Sequence, residues 1–170
     1  VHLMNLPLQA IFFIITMLVQ TTQSLHVAVL GSGVAGSTVA RTLADRGVKV
    51  TVFEAGRGIG GRTSTRITRD DARYQFDHGG QYISKPKTDA FQDALDQWKR
   101  DGWVKEWSGD FGTAVGAVGA DRPTINMEVD MEKKERWVGY PAMHSICHNL
   151  LHHNNIKVKL QTRADAIYKE

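Results

Sequence analysis

Hydrophobic and polar positions alternate along this chain in patterns that predict a mixed α/β fold. Leu25-His-Val-Ala-Val-Leu30 is a short apolar run with the length of a buried parallel strand. Val48-Lys-Val-Thr-Val-Phe53 alternates as a second strand. Between them Ala35/Gly36, Val39/Ala40 and Leu43/Ala44 recur four apart, which predicts a helix with one apolar face. Gly47 stands where a helix ends in a residue of positive φ. Pro86 closes a later extended stretch, and Thr88 is placed to cap a helix running to about Arg100, with Phe91, Ala94, Leu95 and Trp98 as its apolar stripe. Gly102 stops that helix, and Trp103 and Trp107 alternate with polar neighbours as a strand. Trp98, Trp103 and Trp107 suit core packing better than a substrate-stacking platform. Residues 112–124 read as a hairpin or loop, and Glu128–Arg136 as a solvated face or an edge strand. Pro141 is placed to open a helix whose buried face is Met143, Ile146, Cys147, Leu150 and Leu151. Ile156–Leu160 predicts a further strand, and Arg163–Tyr168 the beginning of another.

Composition removes several classes of function. The 170 residues are 42% hydrophobic and 23% charged, as in ordinary globular domains. Cys147 is the single cysteine, so an internal disulfide is impossible and a cysteine-based metal site is set aside; on the apolar side of its helix it reads as inert packing. His144, His148 and His152 lie four apart on an adjoining, more exposed face, without a carboxylate at helical spacing, and read as a solvated face rather than a metal site. The net charge of +3 is mild, and no run of Lys and Arg interleaved with aromatics points to nucleic acid.

The charge is uneven. Residues 1–24 carry no Asp, Glu, Lys or Arg and contain the apolar block Ile11–Val19. Nine residues are too few to cross a hydrocarbon layer of ~30 Å as a helix. They suit the central region of a signal peptide, with Thr22-Gln23-Ser24 as a small-residue cleavage site before Leu25, although basic residues are missing ahead of it. The expectation is a cleaved targeting segment and a secreted or secretory-pathway protein. An uncleaved membrane anchor, organelle import through a longer targeting sequence, and upstream sequence extraneous to the fold are the alternatives.

The strand ending at Leu30 leads directly into Gly31-Ser32-Gly33-Val34-Ala35-Gly36, a G-x-G-x-x-G pattern. In a strand–turn–helix setting Gly31 permits the tight turn, Gly33 lets a diphosphate approach the backbone, and Gly36 lets helix and strand pack closely. The helix N-terminus adds free N–H groups and about half a positive charge. Glu54 ends the second strand, where a carboxylate accepts hydrogen bonds from an adenosine ribose and repels a 2′-phosphate. Ala55-Gly-Arg57-Gly-Ile-Gly60-Gly61-Arg62-Thr-Ser-Thr65 follows at once. Its glycines and two arginines make a second diphosphate cradle: Gly60 and Gly61 clear the backbone and Arg62 supplies bidentate, charge-assisted bonds. Phe76-Asp-His-Gly79-Gly80-Gln81-Tyr82-Ile83 comes soon after.

Taken together, Val27–Gly36, Glu54, Gly60-Gly61-Arg62 and Asp77–Tyr82 resemble the FAD-dependent oxidoreductases of the flavin amine oxidase superfamily. Trp107-Ser-Gly-Asp-Phe-Gly and Arg136-Trp-Val-Gly-Tyr-Pro-Ala-Met143 are similar to its renalase-like NAD/FAD-dependent subgroup. Two positions depart: Gly80 and Ala142 stand where Ala and Gly are expected, and Ala142 adopts a positive φ less easily. The resemblance implies a Rossmann-like FAD-binding domain and the beginning of a mixed α+β substrate region. Its segments would be a targeting segment (1–24), the βαβ unit with its second cradle (25–84), part of a substrate or cap region (85–140) and an incomplete return to the FAD-binding domain (141–170). It further implies a backbone contact from Ala164 to the FAD adenine, and a second half absent from a chain truncated here. The implied chemistry is hydride transfer to flavin with reoxidation by O2. The implied substrate is a small molecule, either a reduced nicotinamide dinucleotide or an amine. No acid or base is assigned. Other branches of the superfamily, such as a desaturase or a porphyrinogen oxidase, and a non-catalytic FAD- or NAD-binding fragment are the alternatives.

Overall fold

The computed structural model describes residues 25–109, 111–115, 126–129, 135–166 and 168. The targeting segment, with its proposed cleavage site Thr22-Gln23-Ser24, lies outside the described residues, as do 116–125 of the expected hairpin or loop.

Three parallel strands carry the first layer. β1 (His26–Leu30) and β10 (Ile156–Lys159) flank β2 (Lys49–Phe53), with Val27 opposite Val50 and Ile156 opposite Val50 on the other side. Helix α1 (Val34–Asp45) crosses from β1 to β2 and packs against α3 (Ser145–Leu151), which precedes β10. Val29, Val50 and Val52 bury against Ala40 of α1 and Leu151 of α3. The buried face of α1 runs through Ser37, Ala40 and Ala44 rather than through Val39, which is 51% exposed. Ser37 is admitted to the interior because its hydroxyl donates to the Ser32 carbonyl oxygen at 3.0 Å.

A second core lies beside the first. β5 (Ile83–Ser84), β9 (Arg136–Gly139) and β6 (Val104–Glu106) form an antiparallel sheet with β9 in the middle. Helix α2 (Asp89–Arg100) supplies Leu95 and Trp98 to a cluster with Val104, Met143, Ile146 and Leu150. Thr88 caps α2 as expected, its Oγ1 accepting from the Phe91 N–H. Because α3 sends Leu151 to one core and Ile146 and Leu150 to the other, it joins the two. Cys147 is fully buried on the same helix, as expected for packing. Two antiparallel pairs complete the strands of the described residues: β3 (Thr65–Ile67) with β4 (Gln75–Asp77), and β7 (Gly112–Val115) with β8 (Asn126–Val129).

Four sequence expectations need correction. The last helix opens at Ser145, not at Pro141: residues 140–144 form a turn that includes a cis Tyr140–Pro141 bond. That turn is folded onto its own strand, so closely that a Cβ on Gly139 would come 2.6 Å from the Ala142 carbonyl oxygen. It is also tied outward, since the Met143 N–H donates to the Asp77 carboxylate of β4. Arg136 opens the central strand β9 rather than ending an edge strand, because Trp137 pairs with both Ile83 and Glu106. Trp107 is not in the core: Trp98 is buried and Trp103 packs on the same cluster, but Trp107 is 42% exposed beside Tyr82 and Phe111. Residues 163–166 and 168 form no strand; they are exposed, and Arg163 pairs locally with Asp165. Ala142 needs no positive φ, since Gln161 is the one non-glycine residue with that conformation among the described residues.

Candidate functional site

The C-terminal ends of β1 and β2 place the two glycine-rich segments against each other. Gly31, with φ +91°, turns the chain out of β1 and donates its N–H to the Phe53 carbonyl oxygen at 2.8 Å. The chain then enters α1 with Gly33 as its N-terminal flanking residue. Gly60 and Gly61, at φ +124° and +53°, fold the second segment back, so that Gly33 and Gly60 form a parallel bridge. The Gly60 N–H donates to the Ser32 carbonyl oxygen at 3.1 Å.

A cleft of about 650 Å³ opens along this junction, lined by Leu30, Gly31, Gly33, Val34, Ala35, Gly36, Gly60, Arg62, Thr63, Gly79 and Gly80. Nine of the predicted residues therefore meet in one place. Its floor is backbone at the N-terminus of a 12-residue helix, which supplies unpaired N–H groups and a partial positive charge. The Arg62 guanidinium in the wall pairs with no carboxylate among the described residues.

The glycines there serve different ends. A Cβ on Gly36 would lie 2.1 Å from the Gly31 carbonyl oxygen, so that glycine is demanded by packing. Gly33 has φ −70° and ψ 176°, a conformation open to any residue, and a Cβ there would meet nothing nearer than the Gly60 oxygen at 3.8 Å. Among the described residues no close backbone contact or positive φ requires Gly33, and the residue lines the cleft.

A second cleft of about 530 Å³ lies beside the first, lined among others by Glu54, Arg57, Gly61, Thr65, His144 and His148. Glu54 is held in place there. Its Oε2 accepts from the Ser32 N–H at 2.8 Å and the Ser32 hydroxyl at 2.6 Å, and its Oε1 accepts from the Gly56 N–H at 2.6 Å. Partial burial pushes the carboxyl up, but the bonds from the Ser32 hydroxyl and the Gly56 and Ser32 N–H groups together hold it below the usual carboxylate range. It stays ionised, with acceptor capacity left on both oxygens.

Other predicted positions stand outside both clefts. Ser32 is fully buried, and its N–H and hydroxyl are taken by Glu54, so it orients the carboxylate from behind. Ala55, Gln81 and Ala164 are exposed and line neither cleft. Tyr82, two residues past Gly80, packs tilted against Trp107, with ring centroids 6.0 Å apart. His144 and His148, expected on a solvated face, line the second cleft instead, because helical spacing shows that they share a face but not what that face meets. His144 and His148 stand edge to face at 5.1 Å in the wall of the cleft that Glu54 also lines, and burial together with the neighbouring His144 pushes His148 down from its ordinary value. Nδ1 of His144 is buried without a hydrogen-bond partner.

Residues 29–98 match the family described as NAD(P)-binding Rossmann-like domain. A stretch of 49 residues, 29% of this chain and 9% of the relative, is 45% identical to an L-amino-acid oxidase of Siganus canaliculatus. One of 38 residues, 22% of this chain and 7% of the relative, is 55% identical to a carotenoid phi-ring synthase of Streptomyces griseus. Among solved structures, wild-type putrescine oxidase bound to putrescine aligns over 63% of this chain and 22% of its own, at 26% identity and a TM-score of 0.39. A triple mutant of putrescine oxidase aligns over 61% and 22%, at 28% identity and the same TM-score. The matches thus span less than a quarter of each of these proteins. The parallel sheet, the glycine turn into α1 and the matched residues define a Rossmann-like unit of mixed α/β content.

Proposed function

We propose that this unit binds FAD and forms the cofactor-binding part of a flavin-dependent oxidoreductase of the amine oxidase type, with the renalase-like subgroup as the nearest resemblance. The observation that carries the reading is the double cradle. The cleft does not end at the helix N-terminus; it continues past the Gly33–Gly60 bridge to Arg62, Gly79 and Gly80. A long, phosphate-bridged cofactor suits that run of bare backbone and one guanidinium. Gly33, Val34 and Ala35 would receive the diphosphate, with Arg62 neutralising it. Glu54, already ionised and oriented, would accept from the adenosine ribose. The exposed Ala164 would contact the adenine, since the Thr162 N–H donates to the Glu54 carbonyl oxygen and holds that segment beside the ribose site.

When bound, the flavin supplies the acceptor for a substrate hydride, with O2 as the proposed terminal acceptor. The substrate is a small molecule, an amine or a reduced nicotinamide dinucleotide. An amine draws support from the name of one relative, L-amino-acid oxidase. A cleaved N-terminal segment would place the protein in the secretory pathway.

Purified protein should carry a yellow chromophore with flavin absorbance, released on denaturation as FAD. Gly33→Val should keep the fold, since a Cβ there makes only ordinary contact with the Gly60 and Gly61 backbone, and lose the flavin because the side chain enters the diphosphate position. A colourless protein, NAD as the bound nucleotide, or full flavin retention by Gly33→Val would each defeat the reading.

A further inference from the structure

A third cavity, of about 820 Å³, shares no lining residue with the glycine cleft. Arg57, Arg66, Arg69 and His78 converge on it, with Ile67, Thr68 and Asp70 completing the wall. Arg57 and Ile67 also line the second cleft, so the cavity begins where the Glu54 end of the site leaves off.

The three arginines are unusual in this neighbourhood for what they do not do. Arg73, in the same segment, is clamped by Asp71, with Nε and Nη2 donating to its carboxylate at 2.6–2.9 Å. Arg57, Arg66 and Arg69 make no ion pair among the described residues, and Asp70 is the single carboxylate in the wall. Arg66 lies in β3 and Arg69 just beyond it, while His78 follows β4, so the β3–β4 pair brings two of the three arginines together with His78. Arg57 comes from the loop after β2.

From this convergence we infer that the cavity is a second anion subsite, which takes a phosphoryl group of a small molecule. Guanidinium groups present planar forks of N–H donors matched to phosphate oxygens, and three of them around one concavity offer more donors than one phosphate can fill. The volume lies in the range of small-molecule pockets, and the concave shape selects a compact ligand over an extended surface. The cavity shares no lining residue with the glycine cleft, and Arg66, Arg69 and His78 lie outside the Glu54 cleft as well.

Inorganic pyrophosphate is the probe, titrated calorimetrically at fixed ionic strength into the purified full chain. A double variant, Arg66→Gln with Arg69→Gln, changes two exposed side chains and leaves the core untouched. It should weaken pyrophosphate binding by about tenfold or more while FAD retention stays unchanged. Gly33→Val should do the reverse, losing FAD and keeping pyrophosphate. Failure of the FAD reading alone would leave the pyrophosphate results standing. The subsite is overturned if wild-type protein does not bind pyrophosphate, if the double variant binds it as tightly as wild type, or if Gly33→Val abolishes it.

Discussion

A methyl group on Gly79 would sit 2.1 Å from the Arg62 carbonyl oxygen; on Gly80 it would meet only the Thr63 methyl at 3.4 Å and that same oxygen at 3.7 Å. The difference arises because the Gly80 N–H donates to the Arg62 oxygen at 2.7 Å, pulling the two chain segments together at Gly79. Gly79→Ala should therefore cost about 3 kcal/mol, at the upper end of ordinary overpacking because the obstacle is backbone. Gly80→Ala should lie within about 0.5 kcal/mol of wild type, or gain slightly from a less flexible unfolded chain. Urea denaturation of both variants checks the contrast; equal losses would show that the strand is free to shift. Alanine at position 80, the residue the family resemblance leads one to expect, is thus tolerated by the fold. The roles of Gly31 and Gly36 were legible in sequence because turn and close packing are local consequences of the motif. Those of Gly79 and Gly139 were not, because each is set by a carbonyl oxygen whose position depends on the folding of another segment or turn.

At the scale of elements, what could be read depended on whether the determinants were local. Helix α2 carries all its signals within its own residues: Thr88 as cap, Asp89 in the first turn, Leu95 and Trp98 on one face, Lys99 and Arg100 in the last turn, Gly102 beyond at φ +73°. Its limits matched expectation for that reason. Thr88→Ala should destabilise by about 0.5–1 kcal/mol, the lower part of the range for a lost cap, because the Oγ1 to Phe91 N–H distance is a long 3.3 Å. Thr88→Ser should restore most of it, as thermal melts of the two variants would reveal; equal losses would mean that the γ-methyl, not the hydroxyl, is what matters. Helix α3 lacked such signals. Its start is set by the turn over Gly139 and by the Asp77 carboxylate meeting the Met143 N–H, 66 residues away in sequence. The central place of β9 likewise depends on β5 and β6 pairing to both of its sides, which no periodicity within Arg136–Gly139 encodes.

At the scale of the whole molecule, Glu54 links the segments that assemble around the two adjoining clefts. Its backbone N–H donates to Lys159 at the end of β10, and its carbonyl oxygen accepts from Thr162 beyond it. Its carboxylate gathers the Ser32 turn after β1 and the Gly56 turn after β2. The sequence offers the acid at the end of the second strand as a candidate ribose acceptor; its structural duty, to hold the Ser32 and Gly56 turns by its charge, required the fold. That duty makes stability depend on pH. The carboxyl's folded pKa lies below its ordinary value, so the folded state releases this proton more readily than the unfolded chain does. The contribution is complete above the unfolded value, about 4.3 for glutamate, and is lost as pH falls through the lower folded value. Glu54→Gln keeps the size but removes the charge, and its amide places a donor where the Ser32 or Gly56 N–H needs an acceptor. Denaturation free energies of wild type and Glu54→Gln should therefore differ most near pH 6–7 and converge as the pH drops below about 4. A gap that stays constant to pH 3 would show that shape, and not ionisation, is what Glu54 contributes.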